Sequence, residues 1–191
     1  MEIETIEESA EALPEYARIP IAFTVRSRYR VEPISGGLGG LTLVEEAVVP
    51  YLKDYDAIPG EGPRHWQALW DLSNWGIMSA FDGPERVGGT VVAWNTAGFG
   101  DMEKRVDVAT LLDLRVVPEH RGCGIGRMLF DRAIDWARGR ECRRLKIETQ
   151  NINVPACRFY ARQGCVLGAI NPCAYGPDLD EVQLLWFLNL S

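Results

Sequence analysis

Residues 111–139, LLDLRVVPEHRGCGIGRMLFDRAIDWARG, pass from an apolar run through a cluster of glycines into a helical pattern. Pro118 ends the apolar run, and Gly122, Gly124 and Gly126 take every second position of the turn. Glycine tolerates a left-handed backbone and leaves no side chain between main chain and ligand. A helix starting just after such glycines offers unpaired amides and the positive end of its dipole, so a phosphate is a natural occupant. Phe130, Ala133, Ile134 and Ala137 follow at i, i+3, i+4 and i+7, which predicts a helix over residues 126–138 with one buried stripe.

Two familiar phosphate loops do not fit. The dinucleotide fingerprint needs G-x-G-x-x-G, and these glycines read G-x-G-x-G; no strand–helix–strand unit opens the chain either. A P-loop needs Lys and then Ser or Thr after its last glycine, whereas Gly126 is followed by Arg127 and Met128. What remains is R-x-x-G-x-G (Arg121, Gly124, Gly126) between strand and helix, or a strand-to-helix turn that binds nothing.

The 191 residues suffice for one domain with a substantial core, and 47% hydrophobic with 25% charged is an ordinary globular composition. No apolar run approaches the length of a membrane span, and the acidic start resembles neither a secretory signal nor a transit peptide. A cytoplasmic protein that binds no membrane is expected. Five cysteines without a CxxC pair, together with only His65 and His120, leave no local metal cluster, so reduced thiols and no metal are expected. The net charge of −7 argues against a nucleic-acid partner. Residues 115–162 hold 11 Lys/Arg against 5 Asp/Glu, while the rest hold 9 against 22. Either the faces are unevenly solvated, or a basic half meets an anion and an acidic half attracts a cation.

Outward from the glycine loop, residues 1–20 read as an acidic arm with a short helix, and residues 21–191 as a single domain. Strands are expected over 21–34 and 41–49, a short helix over 64–74, and a hairpin of 75–81 with 86–96 around DGPE. A strand over 108–117, the helix, a strand over 144–150, a helix over 154–164 and a final strand over 181–190 complete the order. In the strand RLKIETQ, Lys146, Glu148 and Gln150 share one face and Leu145, Ile147 and Thr149 the other. The order is that of an α+β or mixed α/β fold, with antiparallel strands first.

LDLRVVPEHRGCGIGRMLF resembles the acetyl-CoA motif of the Gcn5-related N-acetyltransferase (GNAT) superfamily. NVPACRFYARQGC resembles that superfamily's second motif, N-x-x-A-x-x-F-Y-x-x-x-G-F, through Asn153, Ala156, Phe159, Tyr160 and Gly164, with Cys165 in place of the Phe. The stretch IETQNINVPACRFYARQGCVLGAI and the upstream PYLKDYD are similar to the streptothricin acetyltransferase branch. The resemblance implies a central twisted mixed sheet of six to seven strands flanked by helices, with a V-shaped cleft between the two middle strands.

The implied activity is direct transfer of an acetyl group from acetyl-CoA to an amine in a ternary complex. Leu114, Arg115 and Val116 would pair with the pantetheine as an added strand, and an N–H near Val116 would stabilise the oxyanion. The amides of Arg121, Gly122, Gly124, Ile125, Gly126 and Arg127 would cradle the pyrophosphate. Asn153 either bonds the cofactor arm or stabilises its own loop. Tyr160 is the expected general acid for the departing thiolate, or a buried tyrosine that completes a helix face. Asp113 or Glu148 would be the base or the anchor of a cationic acceptor, unless each is only a strand-face carboxylate paired with Arg115 or Lys146. Tyr51, Asp54, Tyr55 and Trp70, with Trp66, are candidates to line the acceptor site, and core or loop packing is their competing role. The expected partner is a small-molecule amine, and a homodimer is compatible. A protein or peptide amine acetyltransferase and a CoA-binding sensor without turnover are the alternatives.

Overall fold

In the computed structural model, which describes residues 2–99, 105–176 and 179–190, the chain is mixed α/β as expected. Nine strands and four α-helices are seen among these residues: β1 (Ile3–Glu8), α1 (Leu13–Tyr16), β2 (Phe23–Pro33), β3 (Leu41–Lys53), α2 (Trp66–Leu69), β4 (Gly76–Asp82), β5 (Glu85–Ala93), β6 (Val108–Val116), α3 (Ile125–Arg138), β7 (Arg144–Gln150), α4 (Val154–Arg162), β8 (Val166–Asn171) and β9 (Gln183–Asn189). Seven strands follow the order β1-β4-β5-β6-β7-β9-β8, and β2 pairs with β3 alone. No helix among the described residues is long and apolar enough to cross a membrane.

The chain divides into two compact units, and the first comprises residues 1–22, 54–147 and 188–191. In it β1, β4, β5 and β6 form consecutive antiparallel ladders, and β7 runs parallel to β6. Apolar side chains gather on both sides of this sheet. Leu13, Tyr16, Trp66, Trp75, Ile77, Val91 and Ala93 form one cluster; Ala80, Val87, Val116, Ile125 and Leu129 form another beneath α3. The stripe expected on α3 is present, with Phe130, Ala133 and Ala137 buried and Ile134 half-buried.

The Gly88-Gly89 pair of β5 explains how closely the layers approach. Adjacent strand residues face opposite sides. A Cβ on Gly88 would come within 3.2 Å of Ile125 and 3.1 Å of Leu129, while one on Gly89 would lie 2.4 Å from the Tyr16 ring. Tyr16 is fully buried because Gly89 leaves room for it.

The segment expected as an acidic arm is built into this first unit. Residues 3–8 pair with β4, Arg86 donates to the Glu8 carboxylate, and the Trp136 indole donates to Glu7 at 2.9 Å. Burial works to raise the Glu8 pKa, but Arg86 and Ser79 hold it below the usual carboxylate range. Glutamates at Glu4, Glu7 and Glu8 mask the strand in sequence, although Ile3 and Thr5 alternate inward. The helix expected over 64–74 is a single turn, Trp66–Leu69, and Leu69 is 55% exposed.

The second unit comprises residues 23–53 and 148–187. It contains the β2–β3 ribbon, the end of β7, α4, and the antiparallel pair β8–β9. Asn151 is buried and bridges two segments: it bonds the Tyr29 backbone in both directions and the Val182 backbone in both directions. Strand β8 was not expected, because its short VLGAIN run carries a glycine and is largely exposed. On β7, Leu145, Ile147 and Thr149 are buried as the alternation implies.

Replacing Gly89 with Ala should force Tyr16 out of place and cost about 1–3 kcal/mol, as overpacking does. A urea midpoint equal to wild type would contradict the close approach.

Candidate active site

Strand β6 carries a bulge. Val91 opposes Asp113 and Val92 opposes Leu111, so Leu112 is the extra residue. The parallel ladder with β7 pairs residues 108–111 with 144–147 and goes no further, while β6 continues to Val116. The two middle strands, between which a cleft was expected, thus share a ladder of four residue pairs.

Beyond that point the backbone polarity of β6 can be read residue by residue. The Val117 N–H donates to the Val87 carbonyl at 2.9 Å, so Val117 turns its groups toward β5. By strand alternation Leu114 and Val116 turn theirs the other way, to an edge with no ladder partner among the described residues. Arg121 Nε occupies one of these groups, the Val116 carbonyl, at 2.9 Å. The Leu114 N–H and C=O and the Val116 N–H remain, the donor–acceptor set of an unpaired strand edge.

The glycine loop follows directly. Gly122 and Gly124 have φ of +82° and +89°, the left-handed region, and a Cβ on either would project into open space. Gly124 caps α3 without a side-chain hydrogen bond, and its carbonyl takes the Met128 N–H at 3.1 Å. The amides of Ile125, Gly126 and Arg127 precede that first helical bond and point out of the helix start. Arg121 is largely committed to main chain, reaching Val116, Pro20 and Ala22 carbonyls, while Arg127 meets Asp131 at 3.6 Å in solvent. A free strand edge, two left-handed glycines and a bare helix start thus adjoin within one unit.

The side chains of β6 tell a different story from the one expected. Asp113 and Arg115 lie on the face opposite Leu114 and Val116, and both are buried. Asp113 Oδ1 accepts from Tyr16 OH at 2.5 Å and Arg115 Nε at 2.9 Å; its Oδ2 accepts from Arg115 Nη2 at 2.6 Å. Asp113, expected as a base, is instead the centre of a buried ion network that uses both its oxygens. Burial and then the Asp113 charge push the Tyr16 phenol well above its ordinary range. Burial opposes the Arg115 charge, but Asp113 and Asp56 outweigh it and keep the guanidinium firmly protonated.

The other expected residues divide between the units. In the first, Trp70 stacks on Trp75 at 5.7 Å and meets Phe99 edge-on, so it is part of an aromatic cluster. Asp54 accepts the Asp56 N–H and closes a turn, and Tyr55 is half-buried. In the second, Asn153 caps α4 by accepting the Ala156 N–H at 3.2 Å, and Tyr160 is buried on α4 edge-on to Phe159. Glu148 is exposed on β7 and accepts from Tyr175 OH and Gln183 Nε2, both at 2.8 Å; it forms no ion pair among the described residues.

Near the ribbon, Lys53 pairs with Glu181 and Arg28 with Asp180 and Glu46. Burial, and then the charge of Glu181, raises the Tyr51 phenol. Tyr16, Asp56, Tyr175 and Gln183 were not anticipated. Only the Asp113–Arg115 spacing carried a signal, since two charges on one face of a buried strand require partners.

Among the described residues no group of three or more His, Cys, Asp or Glu could hold a metal ion. Cys123 and Cys173 are exposed, while burial pushes the Cys157 and Cys165 thiols up to about 11. A thiol reagent at pH 8 should therefore label two cysteines in the folded protein and five after unfolding, as counted by mass spectrometry.

Residues 44–165 match the Acetyltransferase (GNAT) family. Streptothricin acetyltransferase of Escherichia coli is 31% identical over 153 residues, covering 78% of this chain and 76% of that protein. Streptothricin acetyltransferase A of Bacillus subtilis strain 168 is 35% identical over 81 residues, 41% of this chain; the match spans about half (47%) of that protein's length. Among solved structures, nourseothricin acetyltransferase aligns over all of both chains with a TM-score of 0.76 and 26% identity. A Bacillus anthracis str. Ames protein assigned as a streptothricin acetyltransferase, in complex with acetyl coenzyme A, aligns over 98% of this chain and 99% of its own. Its TM-score is 0.77 at 23% identity, a likeness of fold.

Proposed function

Because the chain belongs to the GNAT acetyltransferase family, we propose that it moves the acetyl group of acetyl-CoA to a primary amine of a small cationic acceptor of the streptothricin type. The observation that carries this is the open β6 edge running into the left-handed glycines and the bare start of α3. Such an edge suits the two amides of a pantetheine arm, and three outward N–H groups at a helix start suit its pyrophosphate.

Residues divide the chemistry as follows. Leu114 N–H and C=O hold the arm as an added strand, and the Val116 N–H donates to the oxygen of the reacting carbonyl. The acceptor nitrogen forms its bond to the acetyl carbon as the carbon–sulfur bond breaks. Tyr160 donates its proton to the leaving sulfur, and the proton lost by the amine passes to Glu148 or to water. Asp113 has no part in this transfer, since both of its oxygens serve the buried network.

A cationic acceptor is supported by three things: the named substrate of the streptothricin relatives, the acidic balance outside residues 115–162, and the Glu148 carboxylate, which among the described residues has neutral donors and no cation. Tyr175 is an aromatic side chain that touches it directly, and Tyr51, close to Glu181, is a second aromatic of this unit assigned to the acceptor. Trp70 and Asp54, which serve the fold, are not assigned to the acceptor.

Acetyl-CoA supplied with streptothricin, a polyamine, an aminoglycoside and a lysine peptide should release thiol with the first of these. CoA binding without turnover on any of them would favour a sensor. Tyr160→Phe should lower kcat by about 10²-fold or more with CoA affinity retained; full turnover would remove Tyr160 from the chemistry. Gly124→Val, which must place a branched side chain at φ +89°, should weaken CoA at least about tenfold. Bound CoA should also slow alkylation of Cys123 and leave that of Cys173 unchanged; equal protection of both would displace the pyrophosphate from the glycine loop.

A further inference from the structure

Resting on the transferase reading, we propose that Arg115 is a positioning residue for the donor strand, acting through Asp56. The Tyr16–Asp113–Arg115–Asp56 network holds β6 past its bulge so that Leu114 and Val116 present their backbone to the pantetheine arm.

All five N–H donors of the Arg115 guanidinium are used. Nε and Nη2 hold Asp113 at 2.9 and 2.6 Å, Nη1 and Nη2 hold Asp56 at 2.6 and 3.2 Å, and Nη1 also reaches the Ile19 carbonyl at 2.9 Å. The Arg115 side chain is 1% exposed, that of Asp113 5% and that of Asp56 27%. Three separate segments, the end of α1, the turn after β3 and strand β6, are therefore tied to one planar group. Two carboxylates against one guanidinium leave a net negative charge, and the Tyr16 hydroxyl answers it with a hydrogen bond to Asp113.

The position of the network sets it apart from an ordinary core contact. Leu112, the bulged residue, lies just before it, and Asp113 and Arg115 chelate each other across Leu114. Leu114 is the residue whose backbone donor and acceptor both face the open edge. An apolar core of equal volume often stabilises a fold as well as a buried ion cluster does. What an apolar core lacks is direction: the fork of Arg115 fixes the orientation of its own strand relative to Asp56 and Ile19. Lysine has three donors and no plane, so it cannot reproduce this arrangement.

Asp56→Asn keeps the size of the side chain and removes the charge at the outer, partly exposed end of the network. Wild type, Asp56→Asn and Arg115→Lys are compared at a temperature well below each Tm. Calorimetry gives the dissociation constant of CoA, and competition gives that of 3′-phosphoadenosine 5′-diphosphate, which keeps the pyrophosphate and lacks the pantetheine arm. The expected result is a lowered Tm, CoA binding weakened about tenfold and fragment binding within about twofold of wild type.

Unchanged affinity for both ligands, with only Tm lowered, would reduce the network to a stabilising one and overturn the proposal. Equal weakening of both would also overturn it, since the effect would then not be confined to the strand edge. Should Arg115→Lys fail to fold, Asp56→Asn decides alone. Absence of CoA binding by wild type would instead sink the transferase reading, and this inference with it.

Discussion

The guanidinium of Arg115 is almost wholly removed from water, and nothing in a protein core tolerates such a charge unless every donor finds an acceptor. Asp113 on its own strand, Asp56 in a turn and a carbonyl beyond α1 meet that demand together. Much of the first unit follows from this. Tyr16 must be deep enough to reach Asp113, so β5 must carry Gly89 beneath its ring. The chain from β1 through α1 must then lie against the sheet rather than in solvent. The same face of β6 that holds the charges leaves the opposite face for Leu114 and Val116 to pack under α3.

A second constraint is backbone saturation. A strand that loses its neighbour exposes donors and acceptors that fold or ligand must satisfy. Beyond Leu111 and Ile147 the β6–β7 ladder ends, and among the described residues only Arg121 covers one of the freed groups. The sequence then turns at left-handed glycines into a helix whose first amides are equally uncovered. Two sets of unsatisfied groups in one short stretch of chain suit a ligand with amides at one end and phosphates at the other. The protein's overall −7 charge is no obstacle, because this stretch lies in its one basic region.

Legibility differed by element for physical reasons. Helix α3 and strand β7 follow from periodicity alone, because one face of each is buried and the other solvated. Strand β1 hides behind glutamates that find partners only in the fold, Glu8 through the charge of Arg86 and Glu7 through a hydrogen bond from the Trp136 indole. Strand β8 has too little burial to leave a pattern, and α2 shrinks to a turn because its tryptophans serve a cluster rather than a helical face. At the site, the glycines were legible because left-handed backbone and close approach demand that residue type. The role of Asp113 was not, since an aspartate on a strand looks the same whether it faces a substrate or an arginine.

The sequence by itself determined the elements with a clear period, the glycine turn ahead of α3 and, through two motifs, the resemblance to the family, because each of these is written in neighbouring residues. Only the tertiary structure decided that Asp113 is an anchor, that Asp56 and Tyr16 belong with it, and that Leu114 and Val116 face an open edge. Those depend on the Leu112 bulge and on contacts between residues 59 to 97 positions apart. Spacing along a chain cannot reveal such contacts, because the burial that makes them necessary exists only once the chain has folded.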